Sequence, residues 1–411
     1  MKIIISNPSK QYTHQTVKAL LNAKHEVIFY TSMWYKQNNF LWKLLSVNKK
    51  LKNELLKKTD TSIPSEIIRT NTLGTLYKFF GRFIFKDIEL WSLIEDRIHD
   101  NYVSKQLKKQ TADVFIGYEK SCLKSFAVAK QLGVITILDL AQVHVNFIVS
   151  LREQFPFFKT ISGKKKTFDK ITIIKQKEYN KADCILTLST FAKQTLLTNG
   201  IPESKIKVAS LGFNTNLFLS KTNYLNNKKL RLIFIGIITF RKGIADLIEV
   251  MKQLENENIE LVVIGPRGDA SQLLNNQSNY SNIKYIEYLH HADMVKELQQ
   301  ADVFVLPSYL DSWAAVVIEA MACGLPVIIS NNTGAKDAVD DSCGFVIETG
   351  NILELKKYIN YFYNNKNAAN AMGKNAAIKA QAYTWSHYNN ELLQAINSCL
   401  INYTANNKNH V

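Results

Sequence analysis

Short apolar runs alternate with longer stretches of mixed polarity through the first half of the chain. Continuous apolar runs of this kind are typical of parallel strands that are buried on both faces. The predicted strands are KIIIS (2–6), EVIFY (26–30), SEIIR (65–69), DVFIG (113–117), TILDL (136–140), CILTLS (184–189) and KIKVAS (205–210). Most of the intervening segments are long enough for a helix, so the pattern predicts a doubly wound parallel α/β sheet.

The alternation restarts after the polar stretch NYLNNKKL (223–230), which is predicted to be a linker. The strands expected next are LRLIFIG (230–236), ELVVIGP (260–266), KYIEYL (284–289), VFVLP (303–307), PVIIS (326–330) and GFVIETG (344–350). Helices are expected at about 351–364, 367–380 and 385–400. The sequence therefore predicts two α/β domains, 1–220 and 221–384, with a last helix over about 385–411 that packs back onto the first domain.

The stretch LPSYLDSWAAVVIEAMACGLPVI (306–328) carries two carboxylates around a predicted helix. Ser312 is the expected N-cap, and Gly324 ends the helix. Asp311 precedes the helix at the carboxyl end of a strand, the edge at which parallel sheets bind ligands. Glu319 lies inside an otherwise apolar helix, where a carboxylate needs a partner. Two interpretations remain open at this point: a structural carboxylate or an acceptor for ligand hydroxyls.

A cationic loop follows the first strand of the second predicted domain, in IFIGIITFRKGIADLIEVM (233–251). The strand ends at Gly236, the loop carries Arg241 and Lys242, and a helix begins after Gly243. A helix N-terminus flanked by two cations is suited to an anion such as a diphosphate. The spacing matches neither the P-loop nor the GxGxxG pattern. With the two carboxylates as acceptors for hydroxyls, the loop predicts a nucleotide-sugar site.

At this point the chain resembles the retaining glycosyltransferases of family 4, the glycosyl transferases group 1, over nearly its whole length. The resemblance rests on KADCILTLSTFAKQTLLTNGIPESKIKVASLGFNTNLF (181–218) in the first half. In the second half it rests on GIITFRKGIADLIE, LVVIGP, ADVFVLPSYLDSWAAVVIEAMACGLPVIIS and NNTGAKDAV. It implies the GT-B fold, in which two Rossmann-like domains face each other across a cleft.

The resemblance also implies roles for individual residues. Two acidic residues separated by seven others characterise the family, and here they are Asp311 for the donor sugar and Glu319 for the ribose. Arg241 and Lys242 would hold the diphosphate and stabilise it as it leaves. The donor-binding residues implied in this way are Gly236, Arg241, Lys242, Asp311, Ser312, Trp313, Ala314 and Glu319. The catalytic residues implied are His144, Lys242, Asp311 and Glu319.

The first predicted domain departs from the family in its first loop. His144, in ILDLAQVHVNF (137–147), resembles the histidine that the family places beside the reacting sugar carbon. The family's glycine-rich first loop, however, is replaced by SNPSKQYTHQ (6–15), which contains no glycine. This loop is therefore expected to serve the acceptor, with Lys10, His14 and Gln15 as polar contacts. In the second domain, Trp313 and Ala314 stand where Phe and Gly are more usual.

The net charge of +16 belongs entirely to the first half, because residues 1–220 carry +17 and residues 221–411 carry −1. A basic half indicates an anionic partner or a lysine-rich solvated surface. Two basic, apolar helical regions, 40–58 and 75–94, are either amphipathic covers over the sheet or a surface for an anionic membrane. The aromatic and basic residues that favour the membrane are Lys78, Phe79, Phe80, Arg82, Phe83, Phe85, Lys86 and Trp91.

Five scattered cysteines without metal spacing predict a reduced chain. No apolar run is long enough for a membrane span, and no secretion signal is evident, so a cytoplasmic location is expected, with the inner face of the cell membrane as a refinement. The chain contains no Asp-x-Asp motif, so neither a metal nor another cofactor is expected.

The predicted function is transfer of a sugar from a UDP- or GDP-sugar to an acceptor hydroxyl, with retention, in the synthesis of surface polysaccharide, glycan or glycolipid. The acceptor is expected to be a glycan, a glycolipid or a small molecule. Two alternatives remain: a basic α/β protein that binds a membrane or nucleic acid without catalysis, and a sugar phosphorylase of the same fold. No nucleic-acid motif appears, so nucleic acid is not an expected partner.

Overall fold

The computed structural model describes residues 1–34, 59–84, 87–161, 163–222, 229–254, 256–275 and 281–408. The chain divides into two compact units. The first comprises Met1–Thr187, Thr195–Ala209 and Asn389–Val411, and the second comprises Leu188–Gln194 and Ser210–Tyr388. The divisions at 209/210 and 388/389 lie close to the predicted boundaries after 220 and 384. The helix predicted over 40–58 and most of the predicted linker lie outside the described residues.

The first unit contains a parallel sheet of seven strands in the order β3-β2-β1-β4-β5-β6-β7. The strands are β1 (Lys2–Ser6), β2 (Glu26–Thr31), β3 (Ile68–Thr70), β4 (Val114–Tyr118), β5 (Ile135–Leu140), β6 (Cys184–Thr187) and β7 (Ile206–Val208). Each overlaps a strand predicted from the sequence, and every residue of β4 and β5 is buried. The continuous apolar runs are thus confirmed as strands covered on both faces.

Helices connect the strands of the first unit, and two short 3-10 turns, Ser65–Ile67 and Glu203–Lys205, accompany them. The helices are α1 (Thr13–Asn22), α2 (Leu73–Ile84), α3 (Ile88–Leu107), α4 (Leu123–Gln131), α5 (Val145–Gln154), α6 (Phe157–Ile161), α7 (Lys165–Lys181), α8 (Thr190–Leu197) and, at the end of the chain, α14 (Trp385–Lys408). Helices α8 and α14 each begin in the second unit and end in the first. The helical region expected over 75–94 is wrong as one element, because α2 and α3 share it. Asp87 separates them: its side chain accepts a hydrogen bond of 3.1 Å from the Leu90 amide and caps α3.

The second unit contains a parallel sheet of six strands in the order β10-β9-β8-β11-β12-β13. The strands are β8 (Leu230–Ile235), β9 (Ile259–Ile264), β10 (Ile283–Ile286), β11 (Val303–Leu306), β12 (Val327–Ser330) and β13 (Gly344–Ile347). The helices are α9 (Ile244–Leu254), α10 (His291–Gln300), α11 (Ala315–Ala322), α12 (Ile352–Asn364) and α13 (Lys366–Ala380), with 3-10 turns at Phe240–Lys242, Ser271–Leu274 and Gly334–Ala338. All six strands match predicted ones, so two Rossmann-like parallel-sheet units are confirmed.

Strand order locates the switch point of each sheet. This is the point between two neighbouring strands whose connections lead to opposite edges of the sheet. In the first sheet it lies between β1 and β4, and in the second between β8 and β11. The loops that leave the carboxyl ends of such a strand pair form the crevice in which open α/β sheets bind ligands. The functional residues are therefore sought in these loops.

The expectation of a fully reduced chain is wrong for one pair of cysteines. Cys184 at the start of β6 and Cys399 in α14 form a disulfide, which ties the last helix to the first sheet. The pair is separated by 215 residues, so no local spacing announces it. Cys122, Cys323 and Cys343 are buried thiols. Among the described residues, no helix is long and apolar enough to cross a bilayer.

Candidate functional site

The loop after β8 is fixed against the loop after β11 by a glycine. Gly243 ends the 3-10 turn that carries Arg241 and Lys242, and its φ of 74° lies in the left-handed region. A Cβ at this position would stand 1.9 Å from the carbonyl oxygen of Pro307, so only glycine permits this approach. The Tyr309 amide donates to the Arg241 carbonyl over 2.8 Å and closes the contact. The two cations are thus held at the switch point of the second sheet.

An ion pair joins the two switch-point loops. Lys242 Nζ bonds Asp311 Oδ2, and both side chains are largely buried. Burial alone would raise the pKa of Asp311, but the Lys242 charge and hydrogen bond outweigh it and hold that pKa below its usual value. The Arg241 guanidinium donates to the Leu310 carbonyl over 2.7 Å. Sequence reasoning placed these three side chains on one edge, and the structure brings Lys242 and Asp311 into contact.

The helix that follows begins differently from the prediction. It starts at Ala315, and its N-cap is Ala314, which has a φ of 63° and forms no side-chain cap bond. Ser312 as the N-cap is therefore wrong. Ser312 is buried, and its carbonyl accepts a 2.7 Å hydrogen bond from Ser189. A left-handed non-glycine residue is uncommon and is found mainly where surrounding contacts enforce it, often at functional sites.

Trp313 fills the space beneath this loop. Its side chain is 2% exposed, and its ring lies 5.4 Å from that of Tyr383. Among the described residues, the indole N–H has no hydrogen-bond partner. A buried indole N–H without a hydrogen bond is uncommon because it costs free energy. This N–H therefore marks a place where a polar group of a ligand or a water would be stabilised.

Glu319 lies half-buried on α11. No described residue donates a hydrogen bond to its carboxylate, and burial raises its pKa to about 7. A structural carboxylate on an apolar helix would be expected to have a partner. The absence of one within the described chain favours the second interpretation of Glu319, an acceptor for a ligand.

A third loop, after β12, supports the Asp311 loop through its backbone. The Asp311 amide donates to the Asn332 carbonyl. The amides of Gly334 and Ala335 donate in turn to the backbone carbonyls of Asp311 and Trp313. A Cβ on Gly334 would stand 2.0 Å from the Ser312 carbonyl oxygen, so glycine is required for this contact too. The sequence pattern alone gives NNTGAKDAV no individual role. Its single glycine, after a strand of the same sheet, was the available signal.

Gly236, the remaining predicted donor-side residue, ends the β8 run. Its amide donates to the Ile264 carbonyl over 2.9 Å, and a Cβ on it would meet only ordinary contacts. Its place at the carboxyl end of β8 agrees with the prediction, but its own surroundings do not demand glycine.

In the first unit, His144 caps helix α5. Its Nδ1 accepts a 3.1 Å hydrogen bond from the Asn146 amide, so the proton of the neutral ring resides on Nε2. Burial, and then the charge of Lys175, lowers the pKa of His144 to about 4. The ring also lies 4.8 Å from that of Tyr179. His144 is therefore a neutral imidazole with an Nε2–H donor near pH 7.

The loops around His144 hold ionisable side chains that sequence reasoning missed. Glu119, directly after β4, forms a 2.7 Å ion pair with Lys175, and both side chains are less than a tenth exposed. Tyr12 donates a hydrogen bond to Asp139, whose pKa is raised to about 6 by burial. The signal was present, because Asp139 interrupts the apolar run TILDL and Glu119 follows a strand at the ligand-binding edge.

The predicted acceptor contacts divide by burial. Lys10 is exposed, and its Nζ lies 3.5 Å from the Thr59 carbonyl, while Gln15 is half-buried. His14 is 4% exposed and packs 5.0 Å from the ring of Trp34. Burial, followed by the charge of Lys10, lowers the pKa of His14 to about 4. The position of His14 suits a packing role, whereas Lys10 and Gln15 remain candidate contacts.

No group of His, Cys, Asp and Glu within the described chain is arranged to hold a metal.

Comparison with known proteins finds similarity to glycosyltransferases in the part of the chain that holds the Lys242–Asp311 pair. Residues 218–379 match the model of the family described as glycosyl transferases group 1. Over 210 residues the chain is 28% identical to the "Capsular polysaccharide biosynthesis glycosyltransferase CapM" of Staphylococcus aureus, covering 46% of this chain and 55% of that protein. Over 198 residues it is 28% identical to the "N,N'-diacetylbacillosaminyl-diphospho-undecaprenol alpha-1,3-N-acetylgalactosaminyltransferase" of Campylobacter jejuni, covering 45% and 52%. The chain thus spans about half the length of the curated relatives it matches.

Solved structures resemble the chain over nearly its full length. The sucrose-phosphate synthase of Thermosynechococcus elongatus aligns with a TM-score of 0.69 and 16% identity, covering 98% of this chain and 99% of that one. The HepE protein of Anabaena, solved in complex with UDP, aligns with a TM-score of 0.66 and 15% identity, covering 97% and 100%. At this identity the likeness establishes the fold alone, and that fold is GT-B.

Proposed function

We propose that the protein is a glycosyltransferase that moves a sugar from a nucleoside diphosphate sugar to an acceptor hydroxyl. The observation that carries the proposal is the Lys242–Asp311 ion pair at the switch point of the second sheet. It lies within residues 218–379, the part that matches the group 1 family model. A cation and a carboxylate in contact offer one partner for a phosphate and one for sugar hydroxyls.

Each side chain has a defined task in this proposal. Arg241 and Lys242 bind the diphosphate and offset the charge that develops as the bond from the sugar C1 to the phosphate oxygen breaks. Asp311 accepts hydrogen bonds from the sugar once Lys242 turns to the phosphate. Glu319 accepts from the ribose, which supplies the partner that its carboxylate lacks in the described chain. Ser312, Trp313 and Ala314 shape the pocket for the sugar.

We assign His144 the role of a hydrogen-bond donor to the reacting sugar. Its proton on Nε2 and its low pKa mean that it acts as a neutral donor near pH 7. We further propose retention of the anomeric configuration and a UDP- or GDP-linked donor. Retention rests on the family resemblance, and the UDP-bound likeness supports a nucleoside diphosphate in general.

The pathway proposed is synthesis of a surface polysaccharide or glycolipid. Relatives named for capsular polysaccharide, amylovoran and colanic acid support it. Acceptors attached to a lipid would place the enzyme at the inner face of the membrane, with contact through the first unit.

Helix α2 supports the membrane contact in part. Leu73, Leu76 and Tyr77 share one face and are 58%, 50% and 59% exposed. Lys78 bonds Glu95 over 2.8 Å, and Trp91 is half-buried. The other side chains named for this surface, at positions 79, 80, 82, 83, 85 and 86, lie outside the described part of the structure. Co-sedimentation with anionic vesicles should exceed that with neutral ones and should fall with salt; equal recovery with both would refute the contact.

The test of sugar transfer is release of nucleoside diphosphate from a panel of UDP- and GDP-sugars. Lys242→Ala should lower kcat/KM by a factor of about 10²–10³, equivalent to about 2–4 kcal/mol of transition-state stabilisation. Lys252→Ala on α9 is the matched control, because it removes the same charge from an exposed site. Equal rates for the two variants would refute the diphosphate assignment. Phosphate-dependent sugar release without nucleotide would favour a phosphorylase.

A further inference from the structure

A groove of about 770 Å³ runs between helices α5 and α7 of the first unit. Its walls include Asn146, Val149 and Arg152 from α5, and Lys165, Phe168 and Thr172 from α7. Helix α5 buries only Val145 and Leu151, and Val149 is its apolar residue on the groove wall. The volume is in the range of small-molecule sites.

Asn146, at one end of the groove, is hydrogen-bonded to His144. The Asn146 amide donates to His144 Nδ1, and the Asn146 side chain accepts from Gln176 and donates to Asn199, each over 2.9 Å. This amide chain fixes the start of the groove next to the imidazole. A sugar bound at this end of the groove would therefore lie beside His144.

The surface changes in chemical character along the groove. Past Asn146, Val149 and Phe168 give it an apolar lining. About 9 Å from Asn146, six residues along the helix at 1.5 Å each, Arg152 lies over the Phe168 ring, 4.0 Å from its centroid.

The far end of the groove is cationic and leads to aromatic rings. Lys159 and Lys165 line it with Arg152, against the acids Glu153 and Asp169. Lys164 and Lys166, on either side of Lys165, add exposed positive charge. Beyond this end the chain turns through three phenylalanines whose ring centroids lie 5.1–6.5 Å apart: Phe155, Phe157 and Phe158.

This sequence of surfaces matches one class of molecule. We infer that the groove binds the acceptor of the proposed reaction as a lipid-linked saccharide phosphate. Its sugar hydroxyl lies at the Asn146 end of the groove, beside His144, and its ring lies against Val149. Its phosphate meets Arg152 and Lys165, and its apolar chain leaves past the half-buried Phe155 and Phe157. The assignment rests on the proposed glycosyltransferase function, because that function supplies the need for a hydroxyl at His144.

Binding can be tested without any donor sugar. Farnesyl phosphate, kept below its micellar concentration, is titrated into the full chain by calorimetry and compared with inorganic phosphate. Lys165→Gln should weaken farnesyl phosphate binding about tenfold, the effect of one charge-assisted hydrogen bond. Lys170→Gln, on the same helix and with the same change in charge, lies outside the groove wall and should change the Kd less than about twofold.

The two phosphates separate a lipid-linked ligand from a soluble one. Farnesyl phosphate should bind at least about tenfold more tightly than inorganic phosphate, because its apolar chain is buried as well. Equal Kd values for the two phosphates would overturn the lipid assignment in favour of a soluble sugar phosphate. Equal effects of Lys165→Gln and Lys170→Gln would overturn the site itself.

A variant that fills the groove separates this inference from the proposed function. Val149→Trp should abolish farnesyl phosphate binding while leaving the affinity for UDP or GDP unchanged, since the nucleotide is assigned to the second unit. Unaltered farnesyl phosphate binding would overturn the groove and leave the test with Lys242→Ala intact. Conversely, a failure of nucleotide binding with the groove still occupied would count against the glycosyltransferase proposal alone.

Discussion

The switch points of the two sheets are built in opposite ways. In the second unit, glycines let three loops touch through their backbones, as at Gly243 against Pro307 and Gly334 against Ser312. In the first unit, the loop after β1 contains no glycine, and side chains hold it: Tyr12 bonds Asp139, and the Asn7 side chain bonds both Thr13 and Ser9.

This difference corresponds to the ligands proposed for the two edges. A diphosphate is recognised by backbone N–H groups and fixed cations that must approach closely, which favours glycine. Acceptors differ between enzymes, and an edge lined by side chains can vary without altering the path of the backbone. At its switch point the first unit therefore has hydrogen-bonded side chains, several of them buried and ionisable. The second unit has loops in backbone contact around the Lys242–Asp311 ion pair.

The largest effect should come from adding a methyl group to the second edge. Gly243→Ala would set a Cβ against the Pro307 carbonyl with φ at 74°, so we expect a loss of about 3–5 kcal/mol of stability in urea unfolding. Gly133→Ala is the control in the first unit: its φ is 71°, but no atom lies within 4 Å. Gly133→Ala should lose only the stability that a Cβ costs in the left-handed backbone conformation, about 1–2 kcal/mol. Equal losses would remove the claim that close backbone approach distinguishes the second edge.

A smaller effect is expected from removing a hydroxyl at the first edge. Tyr12→Phe deletes one donor to the buried Asp139 and should cost about 1–3 kcal/mol, as for a buried acceptor that loses a partner. Tyr77→Phe removes the same hydroxyl from a residue that is 59% exposed and should change stability by less than about 0.5 kcal/mol. Tyr12→Phe should also leave nucleotide affinity unaltered. A large loss of UDP or GDP binding in Tyr12→Phe would show that the edges are not functionally separate.

The smallest effect concerns pH and Glu319. Its pKa is raised by burial to about 7 in the folded protein, above the usual 4.5, so the folded state binds the proton more strongly than the unfolded state. The contribution of Glu319 to stability is therefore present below pH 4.5 and is lost as the pH rises through 7. Glu319→Gln should raise Tm relative to wild type by an amount that grows between pH 4.5 and 7. The corresponding change in the free energy of unfolding is on the order of 1 kcal/mol for this partly solvated group. A constant Tm difference over that range would contradict the raised pKa.

The sequence predicts the strands well because each is a local apolar run, and it places Arg241, Lys242 and Asp311 at one edge because they follow such runs. The roles of these residues, and that of Glu319 inside helix α11, stay predictions. It fails where a feature depends on distant partners. The left-handed Ala314 is enforced by its surroundings and not by its own type. The Cys184–Cys399 disulfide and the Glu119–Lys175 ion pair each join segments that are far apart in the chain. Burial of His14 likewise depends on Trp34 and Phe29, which no local pattern relates to it.

Hydrogen exchange of the backbone amides, measured on the full chain with and without saturating UDP or GDP, tests the central claim most directly. The account predicts the strongest new protection in 236–244 and 308–319 of the second unit, where the nucleotide is assigned. Lys242→Ala should abolish that protection at the same nucleotide concentration. Protection concentrated in 7–15 of the first unit, or unchanged by Lys242→Ala, would contradict the assignment of the donor to the glycine-fixed edge.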